Sequence, residues 1–245
     1  MRGRHGDGGA RIGITCPPDH PVFSVVGDRL ADRGHEVVYF DPTTDIPPAD
    51  LAALSVLVGK RTRPASVRAL VAAERRGVPT WNSATGVMAC IAHLTQLCVL
   101  SGVGFTVPEA TLDPPGGDHV AKGRYHWDSS PTVNGRADVY EPLLAADPVD
   151  YKYYAVDDGT DLHLEVLRAT SKLYGDKEVI GTADPEPAHV EGIRALLARL
   201  GMRGLGVDLV RTEDGWYAVD LNPCPSFAHT GLVDALVDSV EDCLG

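Results

Sequence analysis

A chain of 245 residues, 44% of them hydrophobic, is long enough to bury a full core and to divide into two compact units. Its formal net charge of −12 argues against nucleic acid or an anionic membrane as partner, and no run approaches the ~18 consecutive apolar residues of a membrane helix. Five scattered cysteines (Cys16, Cys90, Cys98, Cys224, Cys243), odd in number and without a CxxC pair, point to a reduced, cytoplasmic protein without structural zinc.

Residues 1–9 are charged and glycine-rich and read as a loose leader rather than a signal peptide. The apolar run 10–16 suits a buried strand, and 21–35 has helical spacing that ends at Gly34. Residues 36–42 form a second strand stopped by Pro42, and 54–60 a third. Residues 64–77 predict a helix with proline in its first turn and glycine after its end, and 78–82 a fourth strand. Strands alternating with helices imply a parallel sheet covered on both faces, an α/β unit over residues 1–82.

From Ser83 the pattern changes. Residues 83–102 read as one helix, and 104–110 as a bend into a short strand. Runs 119–127 and 137–144 predict antiparallel strands across a turn-rich connection, and 150–159 with 161–171 a hairpin turning at Asp158 and Gly159. An amphipathic helix follows at 186–201, then a hairpin over 206–227 and a closing helix at 231–245. The second unit, 83–245, is therefore α+β with a mostly antiparallel sheet.

The 206–227 hairpin carries the chemistry. With a three-residue loop, 213–215, and Gly215 in a left-handed bulge position, Asp208 lies opposite Asp220 and Asn222 shares their face. Val207, Leu209, Val219 and Leu221 then form the core face, whereas a two-residue loop would separate the acids. Like charges directly opposite each other cost about 0.2–1 kcal/mol on a sheet surface. A magnesium ion removes that cost, since it takes hard oxygen ligands from carboxylates and phosphates. A solvated acidic face is the alternative on spacing alone. The proline-stiffened segment NPCPS after the strand suits a wall beside a site.

These residues resemble the ATP-grasp superfamily: GVDL (206–209) followed by YAVDLNPCPS (217–226) is similar to its C-terminal metal signature. The order upstream also matches, with residues 104–109 resembling the entrance to its nucleotide-binding part, and the match covers nearly the whole chain. The resemblance implies ATP with Mg2+ (Mn2+ as an alternative) held by Asp208, Asp220 and Asn222. Lys122 corresponds to the lysine on the phosphates, while Glu141 and Leu143 lie in the hinge that holds adenine and ribose. Lys152 and Arg168 stand on strands that carry cations toward the transferring phosphoryl group, and Lys60 and Ser226 fall toward the acceptor. Such cations matter in a chain with only five lysines (Lys60, Lys122, Lys152, Lys172, Lys177). His126 and Trp127 read either as contacts to a base or, as is commoner for such residues, as fillers of core edges.

Two departures stand out. The helix before Gly104 has His93, Leu94 and Thr95 where the superfamily usually carries an ATP-contacting lysine, and the connection after Lys122 is short, with one glycine in residues 128–136. Within the superfamily the sequence is similar to RimK-type carboxylate–amine ligases and, in Tyr151 with Lys152 and in Arg168 with Ser171, to inositol-phosphate kinases. Few cations besides Lys60, Arg61 and Arg63 are available for a polyphosphorylated acceptor, so a ligase acting on a small-molecule or peptide acceptor is the expectation. A kinase and a non-catalytic nucleotide-binding module are the alternatives, and homo-oligomerisation is left open.

Overall fold

The computed structural model describes residues 9–128, 130–171, 173, 175–176 and 178–245, so Lys172 and Lys177 lie outside the described residues. Three short apolar runs, β1 (Arg11–Ile14), β2 (Glu36–Tyr39) and β3 (Val56–Val58), form a parallel sheet of order β2-β1-β3. Between them run α1 (Phe23–Asp32) and α2 (Pro48–Ala52), and α3 (Pro64–Glu74) follows, opening on a proline whose fixed φ and missing N–H suit a first turn. Both faces are covered as expected. Phe23, Val26 and Leu30 of α1 cover one, while Ala69, Leu70 and Ala73 of α3 pack under Leu57 on the other.

The expected fourth strand reduces to a single bridge from Leu57 to Thr80. Pro79 has no N–H to extend a ladder, and the chain then turns so that Trp81 is fully buried, its Nε1 donating to Ser239 Oγ at 2.9 Å. Asn82, also fully buried, is a clasp. Its Nδ2 donates to the carbonyls of Gly204 and Pro223, both at 2.8 Å, and its Oδ1 accepts from Arg203 N and Gly204 N.

The single helix expected after Ser83 is two, α4 (Ala84–Ile91) and α5 (His93–Ser101), with Ala92 extended between them (φ −91°, ψ 108°). Segment 124–126 takes the backbone groups freed there: His93 N donates to Arg124 O at 3.1 Å and His126 N to Ile91 O at 3.0 Å. The apolar spacing runs on through the break, so periodicity does not mark it.

A small antiparallel sheet follows, β4 (His119–Lys122), β5 (Thr132–Val133) and β6 (Val139–Pro142), in the order β5-β4-β6. The strand expected after residues 104–110 is only an isolated bridge between Thr111 and Tyr140. The rest is β7 (Ala146–Asp157), β8 (Leu162–Thr170), β9 (Val179–Ala183), α6 (Pro187–Leu200), β10 (Gly204–Thr212), β11 (Gly215–Asn222) and α7 (Val233–Asp242). The five strands form an antiparallel sheet of order β11-β10-β7-β8-β9.

One face of this sheet buries Tyr153, Val166, Leu205, Val207 and Leu209 against Ile193, Leu196 and Leu197 of α6. The other turns Tyr154, Val156 and Leu167 toward a core shared with β1, β3, α1 and α7, in which Leu236, Val237 and Val240 are fully buried. At about 1.5–3 kcal/mol for each fully buried aliphatic side chain, α7 contributes strongly to the core of the N-terminal sheet. No helix among the described residues is long and apolar enough to cross a membrane.

Candidate functional site

The hairpin reaches the expected pairing by a different route. Thr212 pairs with Gly215, so the loop is the two residues Glu213 and Asp214, not three. Gly215 has φ +126°, which a side-chain-bearing residue rarely adopts. A bulge between Ala218 and Asp220 then adds one unpaired residue, Val219, and restores Asp208 opposite Asp220 and Gly206 opposite Asn222. Val219 is turned out of the expected core face: Ala218, fully buried, takes its place beside Leu221, and Val219 lines a cleft. The bulged carbonyl accepts from Lys122 Nζ at 2.7 Å.

That cleft is about 920 Å³, within the range of small-molecule sites. Asp208, Asp220 and Asn222 lie along it with Lys122, Glu141, Leu143, Lys152 and Lys60. Arg168 and Ser226 do not line it. Arg168 pairs with Tyr151, on the face of β8 opposite to that of Leu167, which pairs with Lys152. It is thereby directed away from the phosphoryl position the resemblance implied. Ser226 is exposed and its Oγ accepts from Ala228 N at 3.3 Å.

The charges are arranged in buried or half-buried pairs. Lys122 donates to Glu141 Oε2 at 2.7 Å, while Glu141 Oε1 is buried without a hydrogen-bond partner among the described residues. Burial pushes the Glu141 carboxyl up, with Lys122 opposing it. Lys152 is ion-paired with Asp208 and lies 3.5 Å from Asp150 Oδ2. Burial disfavours its charge, but the two carboxylates outweigh that and hold it above its ordinary range. At another part of the cleft Lys60, 2% exposed, donates to Cys224 O at 2.8 Å and lies near Arg61 and Arg63. Burial, reinforced by Arg61, pushes Lys60 down to about 8. Asn222 Oδ1 accepts from Cys224 N at 2.9 Å, which folds the NPCPS segment along the cleft wall.

Three residues that the sequence reading did not place beside Asp220, namely His126, Gln96 and His93, surround it. His126 Nε2 lies 3.1 Å from Asp220 Oδ1, and Gln96 Nε2 donates to the same oxygen at 3.4 Å. Burial raises the Asp220 carboxyl, but His126, Lys122 and His93 together hold it well below the usual carboxylate range. His126 is thus a cleft residue rather than a filler. Its link to His93 follows from the break at Ala92, for which the sequence carries no visible signal.

Burial, with Lys122 and His126 nearby, lowers His93 from 6.5 to about 4. Between those values the unfolded chain binds the proton and the folded chain does not, so the stability that neutral His93 confers is complete above pH 6.5 and lost as pH falls toward 4. His20, also lowered to about 4 chiefly by burial, adds in the same direction. Thermal melts from pH 7 to 4 should show a falling midpoint, and His93→Gln a shallower fall.

A scan against protein families matches none, and no curated protein matches by sequence. Solved structures do match, and the fold is similar to that of structures described as ATP-grasp ligases. The ATP-grasp ligase PsnB complexed with its minimal precursor aligns at a TM-score of 0.71 and 18% identity, over 97% of this chain and 100% of that one. The RimK domain ATP-grasp protein of Sphaerobacter thermophilus DSM 20745 aligns at 0.71 and 17%, over 96% and 99%. The macrocyclase MdnC of Microcystis aeruginosa MRC, bound with precursor peptide MdnA, aligns at 0.69 and 12%, over 94% and 98%. The expected α/β unit followed by a mostly antiparallel α+β unit is the fold found.

Proposed function

We propose that this chain is an ATP- and magnesium-dependent ligase that activates a carboxylate as an acylphosphate and joins it to an amine. The observation that carries the reading is the pairing of Asp208 with Asp220 along the cleft, with Asn222 beside them. Two carboxylates and a carboxamide are the hard oxygen donors that magnesium prefers, and Asn222 Oδ1 retains acceptor capacity beyond its one backbone bond. Bound there, the ion would supply charge neutralisation at the triphosphate.

The chain's own residues would do the rest. Glu141 Oε1, buried and without a partner among the described residues, fits a ribose hydroxyl as donor. Lys122 and Lys152 stand along the cleft as phosphate-binding cations, and Leu143 supplies an apolar contact for a base. Lys60, Arg61 and Arg63 would hold the anionic acceptor. The acceptor carboxylate oxygen attacks the γ-phosphorus and ADP leaves; the amine nitrogen then attacks the acyl carbon and phosphate leaves. No protein nucleophile is required, so positioning and charge carry the catalysis. The precursor peptides bound by PsnB and MdnC support a peptide as acceptor here, with a small molecule as the other option.

Purified protein with magnesium-ATP and pools of carboxylates and amines should release ADP and phosphate together, and only when both pools are present. ADP without phosphate, in the presence of a polyol phosphate, would establish a kinase instead. No turnover and no nucleotide-dependent thermal shift would reject both.

A further inference from the structure

The imidazoles of His93 and His126 lie side by side, ring centroids 5.1 Å apart, and both sit beside the Asp220 carboxylate. One ligand atom from each of the three residues lies within 4.8 Å of the others. His93 is 4% exposed, and its Nδ1 has no hydrogen-bond partner among the described residues. A buried ring nitrogen without a partner is uncommon, and it calls for an occupant. We propose that His93, His126 and Asp220 form a binding site for a divalent transition-metal ion of the zinc or cobalt type.

Two neutral imidazoles and one carboxylate are a familiar donor set for such ions and a poor one for magnesium, which prefers oxygen. A tetrahedral shell with metal–nitrogen bonds near 2.0–2.1 Å places its ligand atoms about 3.4 Å apart, so ligand atoms within 4.8 Å of one another close around an ion by moving together by about 1.4 Å at most. The ligands come from three segments: His93 opens α5, His126 follows β4, and Asp220 ends the bulged part of β11. Backbone bonds across the break at Ala92 fix the two histidines relative to each other. Gln96 supports the arrangement from the next turn of α5, accepting from Leu221 N at 2.9 Å and lying 3.3 Å from His126 Nε2. Lys122 stands close by, but its ion pair with Glu141 at 2.7 Å offsets much of its charge toward a bound cation. The site shares Asp220 with the proposed magnesium position but takes its other two ligands elsewhere and needs no nucleotide, so it stands if the ligase reading fails.

The test is titration of the full-length, nucleotide-free protein with Co2+, followed by visible absorption, and then competition with Zn2+. The expected result is an intense four-coordinate visible band, displaced by Zn2+ and unaffected by millimolar Mg2+. His93→Leu and His126→Asn, each checked for folding by circular dichroism, should each weaken Co2+ binding at least tenfold. His126→Asn lies outside the helices and strands and so keeps the test open should His93→Leu fold poorly. A spectrum that stays that of the hydrated ion, or Co2+ affinity unchanged within twofold in folded His126→Asn, would overturn the proposal. Magnesium-ATP thermal shifts on the same samples read the ligase site separately, so failure of one reading is distinct from failure of the other.

Discussion

Asp220→Asn is expected to remove the magnesium-dependent thermal shift by nucleotide and to lower turnover by about a hundredfold or more, with some loss of intrinsic stability. The substitution keeps the shape of the side chain, and the amide oxygen still accepts from His126 and Gln96, which both reach Asp220 Oδ1. It also removes one of two like charges directly opposed on the hairpin, worth about 0.2–1 kcal/mol at such a position. Losing the charge that His126, Lys122 and His93 hold ionised opposes that relief, so ligand coupling should disappear together with a loss of stability. Asp208→Asn should give the same loss of coupling but a larger loss of stability, because Lys152, 4% exposed, would keep only Asp150 as counter-charge. Differential scanning fluorimetry with and without magnesium-ATP separates the two effects. Unchanged turnover and an unchanged shift in Asp220→Asn would end the metal-dependent reading of this hairpin.

Lys122→Met is expected to be the most destabilising single change at the site. Lys122 and Glu141 are 5% and 3% exposed and contact each other at 2.7 Å. Removing one member of a buried pair leaves the other charge uncompensated, at a cost of about 3–5 kcal/mol. For a chain of this length that lowers the melting midpoint on the order of 10 °C. The carboxyl of Glu141, already pushed up by burial and held down by Lys122, would take up a proton nearer neutrality in the variant. Lys122→Met combined with Glu141→Leu should recover much of the lost stability without recovering nucleotide binding. A double-mutant cycle measured by denaturant unfolding gives the coupling; additive losses would show that the pair does not act as a unit.

Much of the fold was legible because its strands and helices follow plain apolar periods: β1 to β3, the hairpin of β7 and β8, α6 and α7 lie where the patterns put them. The acid pair was legible too, but through a compensating error. The loop is one residue shorter than expected, and the bulge at Val219 restores the parity that a three-residue loop would have given. A bulge depends on what its carbonyl and twist meet, here Lys122 from the neighbouring small sheet, which no local pattern reports. The same holds at Ala92, where segment 124–126 competes successfully for helix backbone groups, and so His93 and His126 escaped notice as a pair. Arg168 was misplaced for a different reason. Order along the chain locates a strand but not which of its alternating faces looks into the cleft, and the register opposite Tyr151 decides that.

The Asn82 clasp bears on the order in which the protein is made. Its bonds to Gly204 and Pro223 join residues 122 and 141 positions apart, and Trp81 beside it is tied to Ser239 across 158. During synthesis the N-terminal sheet emerges long before either partner, with Val26 and Leu30 still lacking their cover from α7. The cleft wall is thus a late product, tied down only after Gly204 and Pro223 have left the ribosome, with the cover from α7 later still. Loop closure over such spans is slow, and the half-made chain is exposed to aggregation for that interval. Truncation near the C-terminus therefore endangers the N-terminal unit as much as the site.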